Sequence, residues 1–467
     1  MASTSLHSPA AARRLLLIFL LAGLANLTAP SVVAAADTPR RPNIVWIMFD
    51  DLGYADPGCY GGEVIPTPNM DQLASEGTRF TSAYCGNPQC APSRNVLMTG
   101  QHTGRTKLRS NFADKNGIVG QENGFRGFID ETDTTVAEVL HQAGYATCLS
   151  GKWGIAEPDT PGVPTRKGFD NFLGVLNQRH ADRHFPEWIW KNEQKLELPT
   201  NRGGQLNDYA AARYAEHAIE FIHERGSDPF FLYLAFCIPH DDYDLPDLGQ
   251  FANKPWTLKQ KAYAKMVSDG DRYVGRVVEA LRQAGVEENT LLFVCSDNGA
   301  ALKDDTLFNS TGPYSGGKFS LLEGGLRVPM IVRWPGKVPA DAVSDAPWHF
   351  SDFLPTAAAL VGSDVPHAVT GMNVLPALLG ESQPALQDRL LYWETTKNGF
   401  RRAARLGRWK AVQDPIEQPI RLYDLAVDVA ETNDVSDVHP ELVADLKRQM
   451  DGARVPSPFH FNPGESR

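Results

Sequence analysis

Continuous apolar runs alternate with amphipathic stretches through most of the chain, and the two periods separate buried strands from helices. Ile44 to Phe49 is an unbroken apolar run that stops abruptly at Asp50 and Asp51, the pattern of a strand covered on both faces. Thr135, followed three residues on by Glu138, predicts a capping box opening a helix over Val136 to Ala143, with Gly144 as its stop. Tyr145 to Leu149 predicts the next strand. Asn207 or Asp208 is expected to cap a helix reaching about Glu224, and Phe230 to Cys237 has strand character. A longer helical period runs from near Leu258 to Ala284 and closes at Gly285. Leu291 to Cys295 and Val328 to Trp334 complete the strands. This alternation predicts an α/β fold: a large, mostly parallel sheet sandwiched by helices.

The pattern changes near residue 385. Leu390 to Glu394, Arg401 to Leu406, Trp409 to Val412 and Arg421 to Leu425 are short strand-like runs between tight turns, and an amphipathic helix over about Pro440 to Met450 follows. They predict a small antiparallel sheet with a covering helix. With no internal repeat and no low-complexity linker, the expected organisation is a signal peptide over 1–36, a catalytic domain over 37–385 and a small α+β subdomain over 386–467, the last two packed as one unit. The N-terminal segment has a positive start (Arg13, Arg14), an apolar run from Leu15 to Leu27 and small residues at Ala34 to Ala36. That is the layout of an export signal cleaved near Ala36. The run is shorter than a spanning helix needs, so no stable membrane span is expected; an uncleaved anchor is the alternative.

Composition narrows the function. The 467 residues carry a net charge of −11, which argues against a broad nucleic-acid surface, so an anionic substrate has to be met by a local cluster of cations. Six cysteines at 59, 85, 90, 148, 237 and 295 show no zinc-type spacing and are too sparse for a disulfide scaffold. Cys148, Cys237 and Cys295 lie in apolar runs and are expected to be packing thiols.

Several polar groups fall at strand ends, where ligands collect in open α/β sheets. They are Asp50 and Asp51, Lys152 in a Gly-Lys-Trp turn, His240 after Pro239, and Asp297 with Asn298. Each has an ordinary alternative as a turn or cap residue. Together, three carboxylates and an amide carbonyl make an all-oxygen set suited to a hard ion such as Ca²⁺, and the scarcity of histidine near them argues against a two-zinc phosphatase site. The most specific run is Cys90-Ala91-Pro92-Ser93-Arg94, continuing to Thr99-Gly100. Pro92 suits a first helical turn, so residue 90 is expected near a helix N-terminus.

These motifs, with Gly316-Gly317-Lys318, Glu323-Gly324-Gly325 and Arg327-Val328-Pro329, resemble those of the type I, formylglycine-dependent sulfatases. The resemblance covers about residues 42 to 450. It implies a sulfatase/alkaline-phosphatase-like fold. It also implies that a formylglycine-generating enzyme oxidises Cys90 to formylglycine, whose hydrate attacks sulfur. Asp50, Asp51, Asp297 and Asn298 would hold Ca²⁺ together with residue 90. Arg94, Lys152 and Lys318 would neutralise the sulfate, and His240 would protonate the departing alcohol. A plain packing or disulfide role for Cys90 is the alternative.

One departure stands out. The family pattern is Gly-Lys-Trp-His, but position 154 is Gly, which looks like a sub-branch of arylsulfatase A-like enzymes that carries an Asn-Gln-x-His segment; Asn177-Gln178-Arg179-His180 matches it. A second His expected two positions on is Asp182. His180 is therefore the first choice for the base of the second half-reaction, entering the space left by Gly154, with His184 next. The expected activity is hydrolysis of sulfate esters on a small molecule or glycan. Two alternatives are a phosphomonoester or phosphonate hydrolase of the same architecture and a sulfated-glycan-binding protein that has lost turnover. Phe185, Trp188 and Trp190, set among charges, could stack on a sugar or simply pack.

Overall fold

The Asn43–Phe49 strand (β1) is buried along its whole length and lies at the centre of the main sheet. The computed structural model describes residues 40–463 apart from 117, 120–124, 227 and 366–367; the export signal expected over 1–36 lies outside the described residues. In chain order the other strands of the sheet are Thr78–Phe80 (β2), Ala146–Lys152 (β3), Asn171–Val175 (β4), Trp188–Lys191 (β5), Gln194–Glu197 (β6), Phe230–Ala235 (β7), Thr290–Ser296 (β8), Met330–Arg333 (β9) and Ala342–Ser344 (β10). They are arranged β10-β2-β9-β8-β1-β7-β3-β4-β5-β6. The central five, β8-β1-β7-β3-β4, are parallel neighbours. β9 and the β5–β6 hairpin run antiparallel to their neighbours.

Alternate side chains of β1 serve two cores. Ile44, Trp46 and Met48 face the helices that contain Val136, Val96 and Leu354. Val45, Ile47 and Phe49 face the long helices Ala210–Arg225 and Leu258–Gln283. A strand buried on both faces has no need of alternation, which is why it reads as an unbroken apolar run. Because the five parallel strands point the same way, the residues just beyond β1, β3, β7 and β8 meet at one edge of the sheet.

The Thr135 capping box is present, with Glu138 N–H donating to Thr135 Oγ1 at 3.2 Å and Thr135 N–H to the Glu138 carboxylate at 2.7 Å. The expected cap at Asn207 or Asp208 is not. The Ala210–Arg225 helix starts after Tyr209 without a side-chain cap. The backbone N–H groups of Asn207 and Asp208 are held instead by Asn201 Oδ1, and the Asp208 carboxylate pairs with Arg213. Thr257 and Gln260 form a further capping box at the start of the Leu258–Gln283 helix.

The tail forms the antiparallel sheet expected of it: Leu390–Thr395 (β11), Arg401–Leu406 (β12), Trp409–Gln413 (β13) and Arg421–Asp424 (β14), in that order, with Leu446 and Met450 of the Pro440–Ala453 helix packed on Tyr392 and Leu422. From residue 41 on, the described residues form one compact unit. A buried ionic cluster joins this tail sheet to the main domain. Lys410 Nζ lies 2.8 Å from Glu323 and 2.9 Å from Glu431, and Tyr84 donates to Glu323 at 2.7 Å. Among the described residues no helix is long and apolar enough to cross a membrane.

Candidate active site

The Cys90 turn is built from three directions. Cys90 is the first residue of the Cys90–Thr99 helix, whose N-cap Gln89 offers no side-chain cap. Gln89 is occupied elsewhere: its Nε2 donates to Thr395 Oγ1 at 2.5 Å and its Oε1 accepts from Ser110 at 3.1 Å. Asn87 Nδ2 donates to the Glu394 carbonyl at 2.8 Å, and Trp393 Nε1 to the Cys85 carbonyl at 2.9 Å. Strand β11 of the tail thus props the loop that presents Cys90.

Asp50 and Asp51 follow β1 directly, and both are fully buried. Asp51 has φ +70°, a left-handed conformation that Asp tolerates better than most side chains. Asp51 N–H donates to Asp297 Oδ1 at 3.2 Å, and Asn298 Nδ2 donates to Asp51 Oδ1 at 2.7 Å. Cys90 Sγ lies 3.3 Å from Asp50 Oδ1. Ligand-type atoms of Asp50, Asp51, Cys90 and His240 lie within 4.8 Å of one another. Asn298 Oδ1 is buried without a hydrogen-bond partner. Three carboxylates plus an unpaired amide oxygen fit a hard, oxygen-liganded dication such as Ca²⁺. Burial and the neighbouring Asp50 charge push the Asp297 carboxyl up to about 6, the mark of like charges held together.

The sequence-derived cations divide into two groups. Arg94 is fully buried and locked: Nε and Nη2 donate to Asp297 Oδ2 at 3.0 and 2.8 Å, and Nη1 to the Lys152 carbonyl at 2.9 Å. Ser93 Oγ donates to the Asp297 carbonyl at 2.5 Å. The Ser93-Arg94 pair therefore fixes Asp297, and Arg94, expected from sequence to neutralise the sulfate, is committed to that carboxylate. Lys152 is likewise enclosed, 2.5 Å from Asp50 Oδ2. Lys318, 2.6 Å from Asp51 Oδ2, and His240 do line a cavity, whose volume is about 620 Å³. His240 Nδ1 lies 2.7 Å from Asp241 Oδ1, and Nε2 3.6 Å from Asp51 Oδ2. Burial opposes the imidazolium, but Asp51, Asp50 and the Asp241 hydrogen bond raise the His240 pKa well above its usual value.

The space at Gly154 is filled differently from expectation. Gly154 has φ +80°, and a Cβ there would meet Gln178 Nε2 at 2.5 Å. Gln178 Nε2 donates to the Gly154 carbonyl at 2.9 Å. The His180 ring, placed there by sequence reasoning, turns to the Trp188 carbonyl at 2.9 Å and packs on the Trp188 ring at 4.1 Å. Asn177 Oδ1 caps this short turn by accepting from His180 N–H at 2.9 Å, which aims Gln178, Arg179 and Asp182 at the cavity and His180 away from it. His184 Nε2 is also occupied, 3.2 Å from the His240 carbonyl. The aromatic stretch packs: Phe185 stacks on Tyr209, and Trp188 meets Trp190 edge-on within the β5–β6 hairpin. Asp182 was the residue of this segment that a missing histidine pointed to; its side chain lies 3.9 Å from His240 Nδ1.

Comparison with known proteins identifies the family. Residues 42–363 match the family described as Sulfatase, and residues 317–455 the family described as N-sulphoglucosamine sulphohydrolase, C-terminal. The chain belongs to the sulfatase family, whose members are sulfuric-ester hydrolases. It is 33% identical to the N-acetylgalactosamine-6-sulfatase of Canis lupus familiaris over 421 residues, 85% of this chain and 75% of that one. It is 29% identical to the steryl-sulfatase of Mus musculus, over 82% of this chain and 72% of that one. A crystal structure of Ps i-CgsB in complex with k-i-k-neocarrahexaose is similar at a TM-score of 0.78 and 30% identity, covering 90% of this chain and 95% of that one. The phosphonate monoester hydrolase of Agrobacterium radiobacter shares the fold at a TM-score of 0.65 and 19% identity, over 88% of this chain and 95% of that one.

Proposed function

We propose that this chain is an exported carbohydrate sulfatase of the Gly-Lys-Trp-Gly sub-branch, matured at Cys90 to formylglycine and dependent on Ca²⁺. The observation that carries this reading is the place of Cys90: it opens its helix with Sγ 3.3 Å from Asp50 Oδ1, among ligand-type atoms of Asp50, Asp51 and His240. Burial and the Asp50 charge raise the Cys90 pKa, which disfavours the thiolate. A hydroxylated residue suits an oxygen-liganded site far better.

Asp50, Asp51, Asp297 and the Asn298 carbonyl are the residues that would hold Ca²⁺. When present, the ion and the aldehyde hydrate supply, respectively, charge neutralisation at the sulfate and an acidified hydroxyl for attack on sulfur. The chain's own residues do the rest. Lys318 Nζ meets a sulfate oxygen at the cavity floor, and Lys152 and Arg94 hold Asp50 and Asp297 in place. His240 Nε2 gives its proton to the departing alcohol, with Nδ1 fixed by Asp241. Asp182, facing the cavity beside His240 and raised by burial, takes the proton role that His180 is turned away from.

The deciding experiment pairs two readouts. The protein is co-expressed with a formylglycine-generating enzyme, and the residue-90 peptide is weighed while sulfate release is followed on 4-nitrocatechol sulfate and defined sulfated saccharides. Conversion at residue 90 with sulfate release supports the reading. Preferential cleavage of a phosphonate monoester favours the phosphonate hydrolase alternative. Conversion without turnover of any ester favours a glycan-binding protein.

A further inference from the structure

The outer part of the cavity carries cations that the sulfate-cleaving set does not use. Arg401 opens β12, and Lys397 sits in the β11–β12 turn; both line the cavity with Lys318 and His240. The Arg401 side chain is 11% exposed, and Asp414 Oδ2 lies 3.4 Å from Nη1. Nε and Nη2 are buried with no hydrogen-bond partner among the described residues. A half-satisfied buried guanidinium costs free energy that a fold has no structural reason to retain. Such a fork is shaped for the two oxygens of a sulfate or carboxylate.

Lys397 is placed in a complementary way. Its Nζ lies 3.2 Å from the centre of the Phe319 ring, and no carboxylate among the described residues pairs with it. Burial and the nearby Lys318 charge hold its pKa below the ordinary lysine value. Phe319 has φ +72°, an uncommon conformation for a bulky residue, and its N–H donates to the Pro88 carbonyl at 2.8 Å. The strained residue therefore ties the Lys397 platform to the loop leading into Cys90. Lys303 also lines this cavity, and no carboxylate among the described residues pairs with it. In a chain of net charge −11, this concentration of cations beside the reaction centre is a local reversal of sign.

We propose that Arg401 and Lys397 form a second anion subsite, which selects glycans carrying a further sulfate or carboxylate beside the ester being cleaved. The proposal rests on the sulfatase reading and adds the substrate class: polyanionic saccharides, recognised from the C-terminal sheet. An aryl sulfate has no second anionic group and does not engage the subsite.

The test uses matured, calcium-loaded enzyme with 4-nitrocatechol sulfate as reporter. Competing ligands are galactose 6-sulfate, a carrageenan tetrasaccharide with sulfates only, and a chondroitin 6-sulfate tetrasaccharide with sulfates and carboxylates. Wild type should be inhibited at least tenfold more tightly by one tetrasaccharide than by the monosaccharide, and the tetrasaccharide that wins identifies the second group. Lys397→Gln, at a half-buried turn position, and Arg401→Gln should each weaken that inhibition about tenfold, with a shallower salt dependence, while reporter turnover changes less than twofold. Equal inhibition of wild type and both variants by every ligand overturns the subsite, as does a wild type that does not prefer either tetrasaccharide. Failure of wild type to cleave the reporter after conversion of residue 90 overturns the sulfatase reading itself, a separate outcome.

Discussion

Arg94 places two N–H groups on one oxygen of Asp297, at 3.0 and 2.8 Å, with both side chains fully enclosed. The helix that presents Cys90 is thereby bolted to the turn after β8. Removing one partner of such a pair strands a buried charge, at about 3–5 kcal/mol. Arg94→Ala should therefore lower stability by that order in urea unfolding and abolish sulfate release. Arg94→Lys, which keeps the charge but not the fork, should fall between. An Arg94→Ala protein of wild-type stability would show that the pair is not structural.

Gly154 is fixed by backbone and neighbour together. With φ +80° and Gln178 Nε2 2.5 Å from the Cβ position, Gly154→Ala should cost about 1 kcal/mol or more. Gly154→His, which restores the common motif, should reduce turnover and not raise it. Adding Gln178→Ala should recover part of the stability, because it relieves the contact but not the backbone strain. A double-mutant cycle by thermal unfolding measures that coupling.

The metal assignment predicts linked stability and activity. Chelation by EGTA should remove turnover and lower the melting temperature, and Ca²⁺ should restore both. At a free concentration of about 100 times Kd the bound ion adds roughly 2.7 kcal/mol. Asp51→Asn keeps shape and tolerates the left-handed backbone, so it isolates the lost charge: the Ca²⁺-dependent rise in melting temperature should disappear.

Burial lowers the pKa of six histidines among the described residues, and three of them are His102, pushed down to about 3, and His180 and His217, pushed down to about 4. Their folded values lie below the unfolded 6.5, so between the two the unfolded chain binds more protons. Stability from these rings is complete above pH 6.5 and is lost as pH falls toward 4, by on the order of 1 kcal/mol per ring at pH 5.5. Urea unfolding at pH 5.5, 6.5 and 7.5 should show that loss, and His180→Gln should flatten the slope. A slope unchanged in His180→Gln would mean that the ring titrates alike in the folded and unfolded chains.

Asp182→Asn separates the two acid–base assignments made at the cavity. It should slow sulfate release by tenfold or more, whereas His180→Gln should act mainly on stability. Steady-state turnover of 4-nitrocatechol sulfate by both variants checks this, and the reverse ranking would return the role to His180.

What the sequence determined by itself was the set of strand ends and the motifs riding on them. β1 is legible because a strand buried on both faces must be apolar throughout, and Asp50-Asp51 marks where burial by apolar neighbours stops. Parallel strand direction then places Asp297, Lys152 and His240 on one edge without any knowledge of contacts. The tertiary structure alone decided which way each side chain faces. Arg94 and Lys318 are both motif cations, yet one is enclosed on Asp297 and the other lines the cavity. His180 and Asp182 are two residues apart on a four-residue turn, and the Asn177 cap sends the imidazole to Trp188 and the carboxylate to the cavity. Glu323 and Arg327, motif residues with the look of chemistry, serve the buried cluster that docks Lys410 of the tail. Spacing along the chain fixes which strand end a residue occupies; its partner depends on groups that folding brings together, such as Asp297 on Arg94 and Asp51 on Lys318, and no local pattern encodes that.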